Sequence, residues 1–414
     1  MKKIIWICFL MGLSSSASAE IQTQQQSATP QVQRPMYHHD THINPPTSIA
    51  SYAQKYANLQ PVDGKRPNDP NLIQLALLLD TSNSMDGLIN QAKSQLWMIV
   101  NELAHAHKND RNIRLEVALY EYGNDSLSLS TGYIRQVTAF SENLDLLSEA
   151  LFSLSTNGGS EYCGHVIAAG INGLKWNRSK KGLKMTYIAG NEPFNQGEVH
   201  FRSSCELATQ QNIIINTIHC GDNQTGIRGL WQQGATLGHG QYFSIDSDRV
   251  TAGIASPYDD DLIALNENIN NSYVPYGHEG RKSLKRQSMQ DQNAITVSKA
   301  TSASRAASKG SALYKNSNWD LVDAVEEKKI DIKNIDRKQL SQELQQKTDA
   351  ELKSYIQNKK EERAAVKKKI AQLSEKRASF IASERSKQQE TQSLGSAIQN
   401  SIRQQAEKQG FRFK

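Results

Sequence analysis

The sequence predicts an α/β fold: a doubly wound, mostly parallel central sheet with helices on both faces, followed by a long α-helical C-terminal region. Three observations carry this prediction. Strand and helix signals alternate through residues 72–255, the pattern of a sheet built by helical crossovers. The unbroken apolar run Ile73–Leu79 suits a strand buried on both faces rather than one face. From Asp331 onward Glu, Lys, Gln and Arg dominate, with almost no Gly or Pro until Gly395, and these are helix-forming residues.

The elements follow in order. After the first strand, Leu88, Ala92, Leu96, Ile99 and Leu103 recur at helical spacing through Leu88–Ala104. Arg114–Tyr122 ("RLEVALYEY") and Tyr133–Ala139 read as strands, and Leu144–Leu154 and Gly164–Leu174 as helices. Met185–Ala189 and Ile213–His219 are apolar strands with a helix, Cys205–Gln211, between them; a short helix Gly229–Leu237 precedes a last strand, Gln241–Ile245. Residues 256–317 are polar and poorly periodic, and read as a linker. In residues 318–414 the apolar positions Val366, Ile370, Leu373 and Phe380 form a narrow seam, but its register places Lys359, Arg363 and Arg377 on seam positions. That argues against a stable parallel coiled coil and for an amphipathic helix lying against something. The tail is also a candidate for self-association.

The amino end is read as a targeting segment. Lys2 and Lys3 precede the apolar run Ile4–Leu13, and Ala17-Ser18-Ala19 offers a cleavage site, the organisation of a secretory signal peptide over residues 1–19. Ten apolar residues are too few to cross about 30 Å of hydrocarbon, and no other stretch is long enough. No cysteine follows the cleavage site, so the expectation is a periplasmic or secreted protein without a lipid anchor. Residues 20–71 are Gln-, Pro- and Ser-rich and read as a largely disordered leader; the "YHHD" at Tyr37–Asp40 with His42 lacks the fixed ligand spacing of a transition-metal site. Removing the signal leaves Cys163, Cys205 and Cys220. In an oxidising compartment these imply one disulfide of undetermined pairing and one thiol; the alternative is three buried reduced cysteines.

Charge excludes little. The chain carries a formal +6, and residues 321–414 alone hold 21 Lys and Arg against 14 Asp and Glu. A basic tail could meet nucleic acid, but export argues against that partner and for a solvated helix surface.

The informative stretch is "LLLDTSNSMDG". A buried strand ends in Asp80, and Ser82 and Ser84 follow at alternating positions before a helix. In doubly wound sheets ligands bind beyond the carboxyl ends of the strands, and Asp80 stands at such an end. This loop resembles the metal-ion-dependent adhesion site of von Willebrand factor A domains, also called integrin I domains. The resemblance implies that Asp80, Ser82 and Ser84 hold a divalent cation, Mg²⁺ or Mn²⁺, which favours oxygen donors. The family's second-loop hydroxyl corresponds to Ser160 in "TNGGSEYCG", a residue that could otherwise cap the following helix. The sequence departs at the third loop, where the family has an aspartate and "MTYIAGNEPF" has Gly190, leaving Asn191 and Glu192 as candidate ligands.

The implied function is non-enzymatic binding of a partner protein whose exposed acidic residue completes the metal's coordination, as in cell adhesion. The alternative is an envelope scaffold that docks through its helical tail over a degenerate metal site. An enzyme would need a nucleophile or base; His165, His219, His239 and Cys163 stand near predicted loop ends, but none has a partner at recognisable spacing.

Overall fold

A computed structural model describes residues 66–245, 254–387 and 394–413. The chain divides into two compact units, Met1–Pro45 and Pro46–Lys414, and every described residue belongs to the second. The signal peptide, the histidine-containing segment and most of the leader lie outside the described residues.

Six strands form the main sheet: β1 (Leu72–Asp80), β4 (Arg114–Tyr122), β5 (Ile134–Ser141), β6 (Leu183–Gly190), β7 (Ile214–Cys220) and β8 (His239–Ile245). Their order is β5-β4-β1-β6-β7-β8. Only β5 is antiparallel to its neighbour, so the mostly parallel, doubly wound arrangement read from the sequence is the one observed. The chain builds outward from β1 to β5, then crosses to β6 on the other side of β1. That reversal sets the switch point between β1 and β6, and it is beyond the carboxyl ends of strands at such a point that ligands of doubly wound sheets bind. All nine β1 residues are buried, as a central strand covered on both faces requires.

Helix α1 (Asp86–Ala104) and helix α2 (Leu144–Phe152) cover one face, and α3 (Cys163–Gly173) and α4 (Phe201–Gln210) the other. The short helices α5 (Asn223–Arg228) and α6 (Trp231–Leu237) precede β8. Alternation along β1 divides the core: Ile73, Leu75, Leu77 and Leu79 face α1, while Ala76 and Leu78 face α3. The expected disulfide is absent. Cys163, Cys205 and Cys220 are all free and buried, and Cys220 lies in the core on the opposite face of the sheet from the other two. The Cys163 thiol faces the Tyr122 hydroxyl at 3.7 Å, and the Cys205 thiol faces the Gly234 carbonyl at 3.6 Å.

Residues 256–317 are not a linker. They fold as α7 (Asp259–Asn270), α8 (Gly280–Val297) and α9 (Lys299–Gly310), and packing overrides their weak periodicity. Small side chains make this possible: Ala303 and Ala306 are fully buried, so α9 lies close to its neighbours. Its cations are buried too. Arg305 donates to Asp145 (2.8 Å) and Asp291 (2.6 Å) and stacks over Trp97, and Lys309 pairs with Asp291 (3.1 Å). Burial drags Lys309 down to about 8. Although burial opposes it, the charges of Arg305 and Lys309 bring Asp291 down to about 2.

The tail beyond is α10 (Leu321–Glu326), α11 (Gln342–Gln345), the 39-residue α12 (Asp349–Lys387) and α13 (Leu394–Lys408). The cationic seam positions of α12 have a specific use. Arg363 is 4 % exposed and donates to Asp320 (2.7 Å) and the Ser272 carbonyl (2.7 Å), with its guanidinium 4.2 Å from the Tyr273 ring centroid. Arg377 donates to Asp259 (2.7 Å). These contacts bind the helix to its own chain. Helix α13 returns to the sheet, where the Tyr187 hydroxyl reaches Ser401 (3.3 Å) and Gln405 donates to Asn216 (2.6 Å). A small second sheet closes the chain, in which β2 (Ala106–Lys108) pairs with both β3 (Arg111–Asn112) and the last strand, β9 (Arg412–Phe413).

Three outcomes follow. Arg363→Ala leaves Asp320 buried without its cation and is expected to lower unfolding free energy in urea by about 3–5 kcal/mol. Lys360→Ala, which breaks an exposed pair with Glu326, should stay within about 0.5 kcal/mol. Asp291 contributes stability that is fully present above its ordinary value of 3.8 and is lost as pH falls through about 2. The folded state binds fewer protons there, so Asp291→Asn should flatten roughly 2 kcal/mol of the acid limb, measured by urea unfolding from pH 5 downward.

Candidate metal centre

The site is assembled from the loops at the carboxyl ends of β1, β4 and β6 and the loop before α3. Thr81 fixes the first loop to the others: its amide donates to the Tyr122 carbonyl (2.9 Å), and its carbonyl accepts from the Asn157 amide (3.1 Å) and the Asn124 side chain (3.3 Å). Met85, 1 % exposed, anchors the turn in the core, which explains an apolar residue directly after the serines. The Ser82 amide donates to Asp80 Oδ1 at 2.8 Å, while Ser82 and Ser84 place their hydroxyl oxygens 3.3 Å apart.

A second carboxylate, missed in the sequence, faces Asp80. Glu161 is 5 % exposed and Asp80 fully buried. A Cβ on Gly123 would lie 2.8 Å from both Asp80 Oδ1 and Glu161 Cγ, so only glycine fits between them; its φ of +77° also favours glycine. Gly159 is likewise constrained, because a Cβ there would lie 1.6 Å from the Gly123 carbonyl oxygen. The two loops therefore meet backbone to backbone and turn Glu161 inward. Burial and the Glu161 charge hold the Asp80 carboxyl well above the usual range. Burial also raises Glu161, while Asp80, the Ser82 hydroxyl and the Glu192 amide lower it.

Although the Asp80 and Glu161 carboxyls lie within hydrogen-bonding reach of each other, three buried oxygens here accept from no donor group: Asp80 Oδ2, Glu161 Oε2 and Asn191 Oδ1. With the Ser82 and Ser84 hydroxyls they form an oxygen-only donor set of the kind a hard divalent cation takes, and orphaned buried acceptors fit a missing positive group. No cluster of three or more His, Cys, Asp or Glu side chains able to hold a metal occurs among the described residues; hydroxyl and amide oxygens would have to complete this set.

Asp80, Ser82, Ser84 and Asn191 are brought together, Asn191 donating from Nδ2 to Ser84 Oγ at 2.8 Å. Glu192 is not: its side chain is exposed and accepts from Gln196 (3.1 Å), and its carbonyl accepts from the Trp231 indole (2.8 Å). Ser160 adjoins Glu161 but is no helix cap, since α3 starts at Cys163 after Tyr162 with no side-chain cap. The glycine in the aspartate slot has a steric cause. A Cβ at Gly190 would lie 2.5 Å from the Tyr122 hydroxyl and 3.0 Å from Asp80 Oδ2, and that hydroxyl is held by donation to the Ala189 carbonyl (3.0 Å). The space a side chain at 190 would need is filled by the Tyr122 hydroxyl from β4, and Glu161 brings a second carboxyl to Asp80 from another loop.

The remaining candidates contribute no oxygen to this set. His239 is exposed at the amino end of β8, and burial pushes His165 down to about 4. His219, paired in register with Gly190, is buried against Trp231 and is likewise lowered by burial. Burial drives the Cys163 thiol far up.

No family model matches the chain, and no curated protein matches it. Among solved structures, the SpRpn10 VWA domain is 17 % identical, with 42 % of this chain and 88 % of that chain covered and a TM-score of 0.32. BatB from Bacteroides thetaiotaomicron is 14 % identical over 42 % of this chain and 90 % of that one, with a TM-score of 0.33. The pilus adhesin SpaC from Lactobacillus rhamnosus GG, in its open conformation, is 13 % identical over 45 % and 29 %, with a TM-score of 0.32. These likenesses cover about two fifths of this chain.

The Gly190 packing is directly testable. Gly190→Ala should destabilise the fold by about 1–3 kcal/mol. Adding Tyr122→Phe should recover part of that loss, giving a non-additive double-mutant cycle in urea unfolding. Additive losses would show that Tyr122 does not set the constraint.

Proposed function

We propose that this chain is an exported, non-enzymatic binding protein that engages a partner protein through a divalent cation. Asp80, Glu161, Ser82, Ser84 and Asn191 would hold Mg²⁺ or Mn²⁺, and an acidic side chain of the partner would complete its coordination. The observation that carries this reading is the pair of buried carboxylates, each with an orphaned oxygen, at the sheet's switch point. When bound, the cation supplies a positive charge between them and an open position for a ligand oxygen. Ser84 is exposed on the solvent side, where a ligand would approach.

Two observations favour binding over the alternatives. The Cys163 thiol and the His165 and His219 rings are buried rather than open to a substrate. A scaffold docking through a free helical tail is disfavoured because α12 turns Leu352, Ile356, Arg363 and Ile370 inward. Export rests on the amino-terminal motif alone. No helix among the described residues is long and apolar enough to cross a membrane.

Calorimetric titration of Mg²⁺ and Mn²⁺ into chelator-stripped protein is expected to show one saturable site. Asp80→Asn and Glu161→Gln should each weaken it at least tenfold, and Glu192→Gln should leave it within about twofold. Absence of saturable binding by the native chain would sink this reading.

A further inference from the structure

The main sheet carries opposite charge at its two edges. Loops at the carboxyl edge, residues 80–87, 123–133, 155–162, 191–200 and 221–229, hold seven Asp and Glu against one arginine, Arg228. Asp86, Asp125, Glu192, Glu198 and Asp222 are exposed there, around the candidate metal centre. Segments at the amino edge, residues 66–71, 105–113, 174–184 and 409–413, hold nine Lys and Arg against two acids.

These amino-edge segments are drawn into one surface. The Arg178 amide donates to the Pro67 carbonyl (2.9 Å), the Lys108 ammonium donates to the Lys181 and Gln409 carbonyls, and β9 pairs with β2. Lys108 is held by carbonyls rather than carboxylates, and Lys181 adds a like charge beside it. Of the two acids, Asp69 is taken by Arg114 at 3.2 Å. Asp110 instead stands at the tip of the β2–β3 turn, where Asn109 and Asp110 have φ of 52° and 55°. It is exposed, and the exposed Arg111 and Arg412 belong to the same small sheet. The cationic edge thus presents one carboxylate on a tight turn.

We propose that a second copy of this chain is a ligand of the metal centre: Asp110 of one copy completes the cation held by Asp80 and Glu161 of the next, and the basic edge meets the acidic rim. The proposal rests on the divalent-cation reading above. A nine-residue strand spans about 30 Å between the two edges, so a chain does not reach its own site. The contact uses different patches on the two copies and propagates head to tail. Opposed charge steers the encounter, and salt weakens it. An anionic membrane would also attract the basic edge, but it would repel the carboxylate that the turn holds outermost.

Sedimentation velocity on the chelator-stripped full chain, with and without Mg²⁺, tests this beside calorimetry on the same samples. The expected result is a monomer in chelator and concentration-dependent species beyond dimer in Mg²⁺, reversed by high salt. Asp110→Asn should abolish assembly while binding Mg²⁺ normally. Asp80→Asn should also stay monomeric, and an equimolar mixture of the two variants should stop at dimer, because one supplies the site and the other the ligand. Normal Mg²⁺ uptake with a monomeric native chain overturns self-assembly alone; no Mg²⁺ uptake overturns the metal reading beneath it. Assembly that survives Asp110→Asn overturns the proposed ligand. Vesicles of phosphatidylglycerol bound equally by native and Asp110→Asn monomers would assign the basic edge to a membrane surface instead.

Discussion

Two carboxyl groups facing each other in a buried site cannot both be ionised without a positive charge or a proton between them. That constraint organises the carboxyl edge of this sheet. It explains glycine at 123, where any side chain would drive Asp80 and Glu161 apart, and the backbone contact between Gly123 and Gly159 that turns Glu161 inward. It also accounts for the orphaned oxygens, which a folded protein rarely leaves buried. On the proposed reading, one divalent cation would answer all three features.

The second organising force is the return of the C-terminal helices onto the sheet. A mostly charged helix such as α12 has too narrow an apolar stripe to hold itself in place by burial alone. Arg363 and Arg377 provide direction where the stripe is weak, each reaching a buried aspartate of its own chain. Arg305 and Lys309 do the same for α9, whose alanines supply closeness but little apolar area. Unpairing any of these ions leaves a buried charge, so the helical region is fixed to one arrangement more than it is stabilised by it.

Much of the architecture was legible because burial in a parallel sheet leaves a periodic trace. The apolar runs of β1, β6 and β7 gave their positions to within a few residues, and Asp80 stood out as a carboxylate at a strand end. What escaped was set by tertiary contact. Residues 259–310 read as a linker because alanine and serine carry no hydrophobic signal, although at a close helix interface they are what fits. The seam arginines of α12 looked like defects in a coiled coil because their aspartate partners are more than forty positions away in sequence. Cysteine counting suggested a disulfide, but the sheet separates Cys220 from Cys163 and Cys205, and those two thiols face other partners. At the site, the family resemblance pointed to Ser82, Ser84 and Asn191, which the fold brings near Asp80, whereas Glu161 was passed over for its neighbour Ser160. The one available signal was its position between a Gly pair and an apolar helix, a costly place for an unpaired charge. Gly190 could be seen as a departure, but its cause, the Tyr122 hydroxyl, needed the register between strands.

The most direct test is where a cation sits. Crystals grown with Mn²⁺ and measured near its absorption edge should show an anomalous peak between Asp80 and Glu161, within about 2.0–2.3 Å of their oxygens and of a serine hydroxyl. A site without such a peak, with the two carboxyl groups bonded to each other through a shared proton, would contradict the account.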